Sequence, residues 1–257
     1  MQNINYNQEI ENITNWIQKI VSKSGFKKIV IGLSGGVDSA VSCALAVKAI
    51  GQKSVLVAML PNGELNREGL KDARLVTEFL QIPEEQIFVI DIKEAAEKIA
   101  SSCSPRNDMI RKGNIMARVR MIYLFDLAKQ HRALVCGTEN KSEHYLGYFT
   151  RFGDEASDIE PIVHLYKTQV WEIAKSLGLP EKIITKAPTA GLWEEQTDEK
   201  ELGFSYKDAD EVLAYFIDEK LSKEEIMQKK IDKNVVENVI KRVKENEFKH
   251  RLPFVYK

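Results

Sequence analysis

Ile10, Ile13, Trp16, Ile17 and Ile20 recur at helical spacing, and Gly25 stands where a left-handed terminator belongs, so the chain should open with an amphipathic helix. The pattern then changes. Near-continuous apolar runs cover 28–33, 54–60, 86–92 and 132–137, with helical periodicity between them. Short strands that are apolar on both faces and joined by helices predict an α/β fold, a doubly wound parallel sheet with helices on both sides. In such a sheet the chemistry collects at the carboxyl ends of the strands. Ser34, Pro61-Asn62-Gly63 and Gly137-Thr138 fall there.

Beyond about residue 150 the texture differs. The stretch 150–158 is polar and predicts little regular structure, and a helix is expected over 167–178. A turn-rich segment, 185–206, carries two glycines, a proline and the acids Glu194, Glu195, Asp198 and Glu199. Loops of that length in compact proteins are usually lids or binding loops. From 208 a charged helical tail runs to the end, and the whole chain, 1–257, reads as one domain without internal repeats.

The bulk properties exclude more than they assign. With 257 residues, 44% hydrophobic and 29% charged, the chain can bury a large core and reads as soluble. Acids and bases nearly cancel, 38 against 37, so no global field would steer it to nucleic acid or an anionic membrane. Cys43, Cys103 and Cys136 lack C-x-x-C spacing and read as reduced thiols of a cytoplasmic protein. No signal peptide or membrane span is expected. The four histidines show no metal-ligand spacing.

Candidate chemistry centres on Gly32-Leu33-Ser34-Gly35-Gly36-Val37-Asp38-Ser39, between the first strand and a helical run from Ala40. Adjacent glycines let the backbone turn sharply and approach an anion, and the following helix offers unpaired N–H groups and the positive end of its dipole. Ser34 and Ser39 can add hydroxyl donors. Asp38 would repel a phosphate unless a divalent cation lay between them, which predicts Mg2+; the plainer reading of Asp38 is a helix cap. No Gly-Lys-Ser/Thr occurs, which argues against the Walker type of loop. The same residues fit G-x-S-x-G, the nucleophile elbow of a hydrolase, with Asp210 and His250 as later triad partners. A nucleotide sensor without catalysis is a further alternative.

The loop resembles the SGGxDS pyrophosphate-binding loop of the ATP pyrophosphatases. Four further segments sharpen this: 113–121 with Arg118 and Arg120, 137–143 after the fourth strand, 147–154, and 186–193 leading to 196–206. Together, over about 10–253, they resemble the ammonia-dependent NAD synthetase family. The resemblance implies an adenine nucleotide alpha hydrolase-like fold. It implies ATP-dependent amidation of deamido-NAD by ammonia through an acyl-adenylate, with ATP as co-substrate and Mg2+ as cofactor. Gly32 to Ser39 would cradle the ATP phosphates, with Thr138, Lys167 and Thr189 as further ATP contacts. Asp38 and Glu143 would hold Mg2+, and Arg118, Arg151, Asp158, Phe248 and Lys249 would contact deamido-NAD. The family often has Lys where Arg151 stands, and its C-terminal His-Lys pair aligns with Phe248-Lys249, ahead of His250. A homodimer is implied, with no glutaminase: such an enzyme would need an N-terminal cysteine where this chain has Gln2.

Overall fold

The computed structural model describes residues 4–103 and 108–250. Helix α1 (Tyr6–Ser24) starts at Asn5, whose side chain accepts the Gln8 N–H, and ends at Gly25 with φ +75°. There follow β1 (Lys28–Gly32), α2 (Val37–Ile50), β2 (Val55–Met59), α3 (Arg67–Phe79), β3 (Ile87–Val89), α4 (Lys93–Cys103), α5 (Met109–His131), β4 (Ala133–Cys136) and α6 (Lys141–Leu146). The four strands are parallel, in the order β3-β2-β1-β4.

Alternation along the strands explains why helices cover both faces. Ile29 and Ile31, Val55, Val57 and Met59, and Leu134 and Cys136 face α1 and α2; Val30, Leu56, Ala58, Ala133 and Val135 face α4 and α5. Ile29, Val30 and Ile31 are all fully buried, which stabilises the sheet by roughly 2 kcal/mol for each side chain. The third strand is shorter than the run 86–92 suggests. Beyond Val89, Ile90 and Ile92 still donate to the Met59 and Pro61 carbonyls, while Asp91 accepts the N–H groups of Gly63 and Lys93, at 3.0 and 2.8 Å, at the start of α4.

The chain moves outward from β1 to β3 and then returns to lay β4 on the other side of β1. That reversal opens a crevice beyond Gly32 and Gly137, between the carboxyl ends of β1 and β4. The remaining helices are α7 (Lys167–Ser176), α8 (Glu181–Thr185), α9 (Asp198–Leu202), α10 (Tyr206–Leu213), α11 (Lys223–Ile226) and α12 (Lys233–Asn246). The charged tail is a bundle with its own core: Leu146, Tyr206, Val212, Leu213, Val236 and Val239 pack together. Among the described residues no helix is long and apolar enough to cross a membrane.

Candidate active site

The loop after β1 is held by backbone contacts and by two serine hydroxyls. The Leu33 N–H donates to the Ala58 carbonyl at 2.9 Å, and Gly35 takes φ +79°. A Cβ on Gly35 would strike the Gly69 carbonyl and lie 2.7 Å from Asp72 Cβ; one on Gly69 would lie 2.8 Å from the Ser34 carbonyl. Two glycines thus let the loop press directly on α3. Ser39 Oγ accepts the Ser34 N–H at 3.3 Å and donates to the Gly36 carbonyl at 3.0 Å, which closes the loop into a ring. Gly36 caps α2 and brings no side chain to its first N–H groups, so these remain for an anion.

A charged hub stands beside this cradle. Lys167 Nζ lies 2.5 Å from Asp38 Oδ2 and 3.0 Å from Glu143 Oε1, and its side chain is 3% exposed. Asn140 Nδ2 donates to Asp38 Oδ1 at 2.8 Å, while its Oδ1 accepts the Glu143 N–H at 3.0 Å. Asn140 and Glu143 form a capping box, so the element that starts α6 also aims Glu143. Burial raises the Glu143 carboxyl to about 8, with Lys167 opposing and Asp38 adding to the rise. Burial works against the Lys167 ammonium, but Asp38, Glu143 and Asp198 outweigh it and hold the group above the usual lysine range. From behind, the Lys167 N–H donates to Ser142 Oγ at 2.8 Å, and Ser142 and Thr168 donate to the fully buried Asp210.

Cradle and hub open on a cleft of about 1000 Å3. Of the expected site residues, Gly32, Leu33, Ser34, Gly36, Val37, Asp38, Ser39, Thr138, Glu143, Lys167, Thr189 and Lys249 line it. The segment 185–206 forms one wall and is more built than its turn-rich sequence suggests. Asn66 Nδ2 donates to the Gly191 carbonyl at 2.8 Å, α9 falls inside the segment, and Gln196 and Asp198 are buried. Nothing supports the hydrolase alternative. Ser34 Oγ pairs with Ser39 Oγ and the Gly36 N–H, while Asp210 holds Ser142 and Thr168, and His250 pairs with the His144 carbonyl.

The family model described as NAD synthase matches residues 9–253. The chain belongs to that family. It is therefore an enzyme, an ATP-using ligase of NAD biosynthesis. It is 47% identical to an NH3-dependent NAD+ synthetase of Thermococcus kodakarensis over 98% of each chain. An NMN synthetase of Francisella tularensis shares its fold with a TM-score of 0.86 and 35% identity, covering 99% of this chain and 100% of that one. An NH3-dependent NAD synthetase of Campylobacter jejuni, solved with a nitrate ion, follows at 0.83 and 29%, with the same coverage.

Four residues expected to meet the dinucleotide of an NAD synthase lie outside the cleft lining. Arg118 donates to the Arg151 carbonyl at 2.9 Å, and the Arg151 guanidinium lies 5.9 Å from the Phe248 ring centre, so these three share one patch. Asp158 Oδ2 accepts the Val135 N–H at 2.8 Å beside β4. Lys249 Nζ donates to the Gly147 and Phe149 carbonyls, at 2.6 and 3.0 Å. Arg251, Leu252 and Pro253, which end the resemblance, lie outside the described residues. Sequence reasoning missed Asn66, Asp72 and the cleft-facing role of Arg120, whose guanidinium holds the Leu60 carbonyl and Asn66 Oδ1. Asn140-x-x-Glu143 was a readable signal, being a capping-box pattern.

Proposed function

We propose that this NAD synthase amidates the nicotinate carboxylate of deamido-NAD with free ammonia, consuming ATP with Mg2+. The observation that carries the reading is the Asp38–Lys167–Glu143 hub standing beside an anion cradle at the β1–β4 crevice. The carboxylate would attack the α-phosphorus and expel pyrophosphate; ammonia would then attack the acyl carbon, lose a proton and release AMP. Such chemistry needs positioning and charge neutralisation more than a protein nucleophile.

The donor set fits Mg2+. Asp38 and Glu143 offer hard oxygens, and a carboxyl kept from ionising by burial beside another carboxylate is one that a divalent cation would ionise. With two carboxylates from the protein, phosphate oxygens and water would complete the ion's shell. The ion would neutralise charge on the departing pyrophosphate. The backbone N–H groups of Val37 to Ser39, with the Ser34 and Ser39 hydroxyls, would take the phosphates, and Lys167 would hold the two carboxylates in place. Thr138 and Thr189 line the same cleft and would complete the ATP contacts. Arg118, Arg151, Asp158, Phe248 and Lys249 would bind the dinucleotide.

Two copies would pair through α5, where Ile122 is 57% and Phe125 36% exposed one turn apart. Ile122→Glu should then shift sedimentation to a monomer. The buried free thiols of Cys43 and Cys136 support a cytoplasmic setting, and the family match over residues 9–253 supports one domain over the chain. The deciding assay supplies ATP, Mg2+, an ammonium salt and deamido-NAD to the purified protein and follows NAD. Nicotinate mononucleotide is the comparison acceptor and glutamine the comparison donor. Preference for the mononucleotide, or comparable turnover on glutamine in ammonium-free buffer, would overturn the reading.

A further inference from the structure

Two lysines converge on one enclosed carboxylate beneath the phosphate cradle. Lys182 Nζ lies 2.6 Å from Asp72 Oδ1 and Lys186 Nζ 2.6 Å from Asp72 Oδ2, with the Asp72 side chain 2% exposed. A single cation would satisfy that charge, so the second is surplus. The two lysines differ in placement. Lys182 stands mostly in water on α8, whereas Lys186 is less exposed, lines the cleft and opens the segment 185–206. Asp72 itself sits directly against the loop, because Gly35 packs its Cα on Asp72 Cβ.

The other cations lining the cleft are engaged, Arg242 with the Leu146 carbonyl and Lys249 with the Gly147 and Phe149 carbonyls. Lys167 is fixed between Asp38 and Glu143, and Arg120 is engaged with Leu60 and Asn66. Lys186 faces the same cleft and could leave Asp72 without stranding it, since Lys182 would stay behind. Breaking a buried ion pair is costly chiefly because it leaves the partner charge uncompensated. Here that penalty is absent.

We propose that Lys186 is a triphosphate-contacting residue parked on Asp72: when ATP fills the cradle, its ammonium exchanges the Asp72 carboxylate for a phosphate oxygen beyond the α-phosphate. This rests on the reading of Gly32 to Ser39 as the ATP cradle. The exchange would draw the start of the segment 185–206 toward the nucleotide and bring Thr189, three residues on, with it. Asp72 acts through Lys186 and Lys182 and is a positioning residue.

The test is a calorimetric titration of a non-hydrolysable ATP analogue with Mg2+, and separately of AMP, into the wild type, Lys186→Gln, Lys182→Gln and Asp72→Asn. Lys186→Gln should weaken the analogue about tenfold to hundredfold, as loss of a charge-assisted hydrogen bond does, and leave AMP affinity unchanged. Lys182→Gln should weaken the analogue less, because Lys186 would then have to leave a bare carboxylate. Asp72→Asn frees Lys186 and should bind the analogue at least as tightly as the wild type. Asp72→Asn weakening the analogue as much as Lys186→Gln would mark the pair as a strut and overturn the proposal, as would equal losses for analogue and AMP in Lys186→Gln. If Asp72→Asn does not fold, the analogue-against-AMP comparison on Lys186→Gln decides. Failure of the wild type to bind the analogue would remove the cradle reading itself, whereas wild-type binding with unaffected Lys186→Gln would remove only the role of Lys186.

Discussion

Replacing Asp38 by Asn and Glu143 by Gln should damage catalysis alike and folding unequally. Asp38 accepts from Asn140 Nδ2 through one oxygen and from Lys167 Nζ through the other, at 2.8 and 2.5 Å. An Asn at 38 has one acceptor, so its amino group must face a donor whichever way it turns. Losing one charge-assisted bond and opposing two donors should cost about 2–3 kcal/mol of stability. Glu143 accepts from Lys167 at 3.0 Å, but its other oxygen meets only the Asn140 N–H at 3.5 Å. A Gln can keep its carbonyl on Lys167, and about 1 kcal/mol should suffice. Each substitution also removes one anionic ligand from the proposed Mg2+, worth on the order of 3 kcal/mol in the transition state, about a hundredfold in rate. The double variant separates the two roles. In rate it should be little worse than the poorer single, because both carboxylates act through one ion. In stability it should be worse than the sum, because Lys167 would be buried with neither carboxylate. Initial rates of NAD formation across Mg2+ concentrations, with urea unfolding of the same samples, measure both. Near-native turnover in either single variant, or rate losses that simply multiply in the double, would refute the shared ion.

Three shorter predictions test other parts of the structure. Burial raises both the Glu139 and Glu160 carboxyls to about 8, against an ordinary value of 4.5, so the folded chain keeps protons that the unfolded chain releases. Stability should therefore fall as pH rises from about 4.5 to 8 and level off above; urea midpoints across that range should show it, and Glu139→Gln should flatten the slope. Gly35→Ala should abolish binding of an ATP analogue by calorimetry, because φ +79° and the Gly69 carbonyl exclude a Cβ there; tight binding would show that the loop can shift off α3. The exposed tip at 189–190 and 194–195 should lose protease sensitivity when ATP analogue and deamido-NAD are added together, as expected of a closing lid; unchanged cleavage at saturation would dismiss closure.

Local pattern carried much of this architecture. The strand runs lie within a residue or two of the observed strands except at the end of β3, where Asp91 takes the Gly63 and Lys93 N–H groups. The cradle was legible because its glycines and its place between strand and helix are adjacent in the chain. Asp38, Glu143 and Lys167 meet in one charged hub across separations of 105 and 24 positions that no local pattern reports. The α5 arginines show where periodicity stops. Arg118 and Arg120 sit two positions apart on one helix and so point to different sides, and only the packing of α5 reveals that Arg120 is the one on the cleft. Gly69 and Asp72 carried no signal and Asp210 read only as a triad acid, since each matters through a partner far along the sequence: Ser34, Lys186 and Ser142. Helix α9 escaped notice because Leu202 is its one apolar residue.

The bond from Ser142 to Asp210 has a consequence in time. A chain leaving the ribosome N-terminus first exposes its cradle, its strands and all three members of the charged hub before α10 exists. Until Asp210 arrives, Ser142 and Thr168 lack the acceptor that fixes the base of Lys167, and the bundle core around Tyr206 and Val212 is missing. The last quarter of the polypeptide is therefore a keystone: synthesis can build the nucleotide-binding sheet early, yet the site stays unassembled until the helices at the far end lock it.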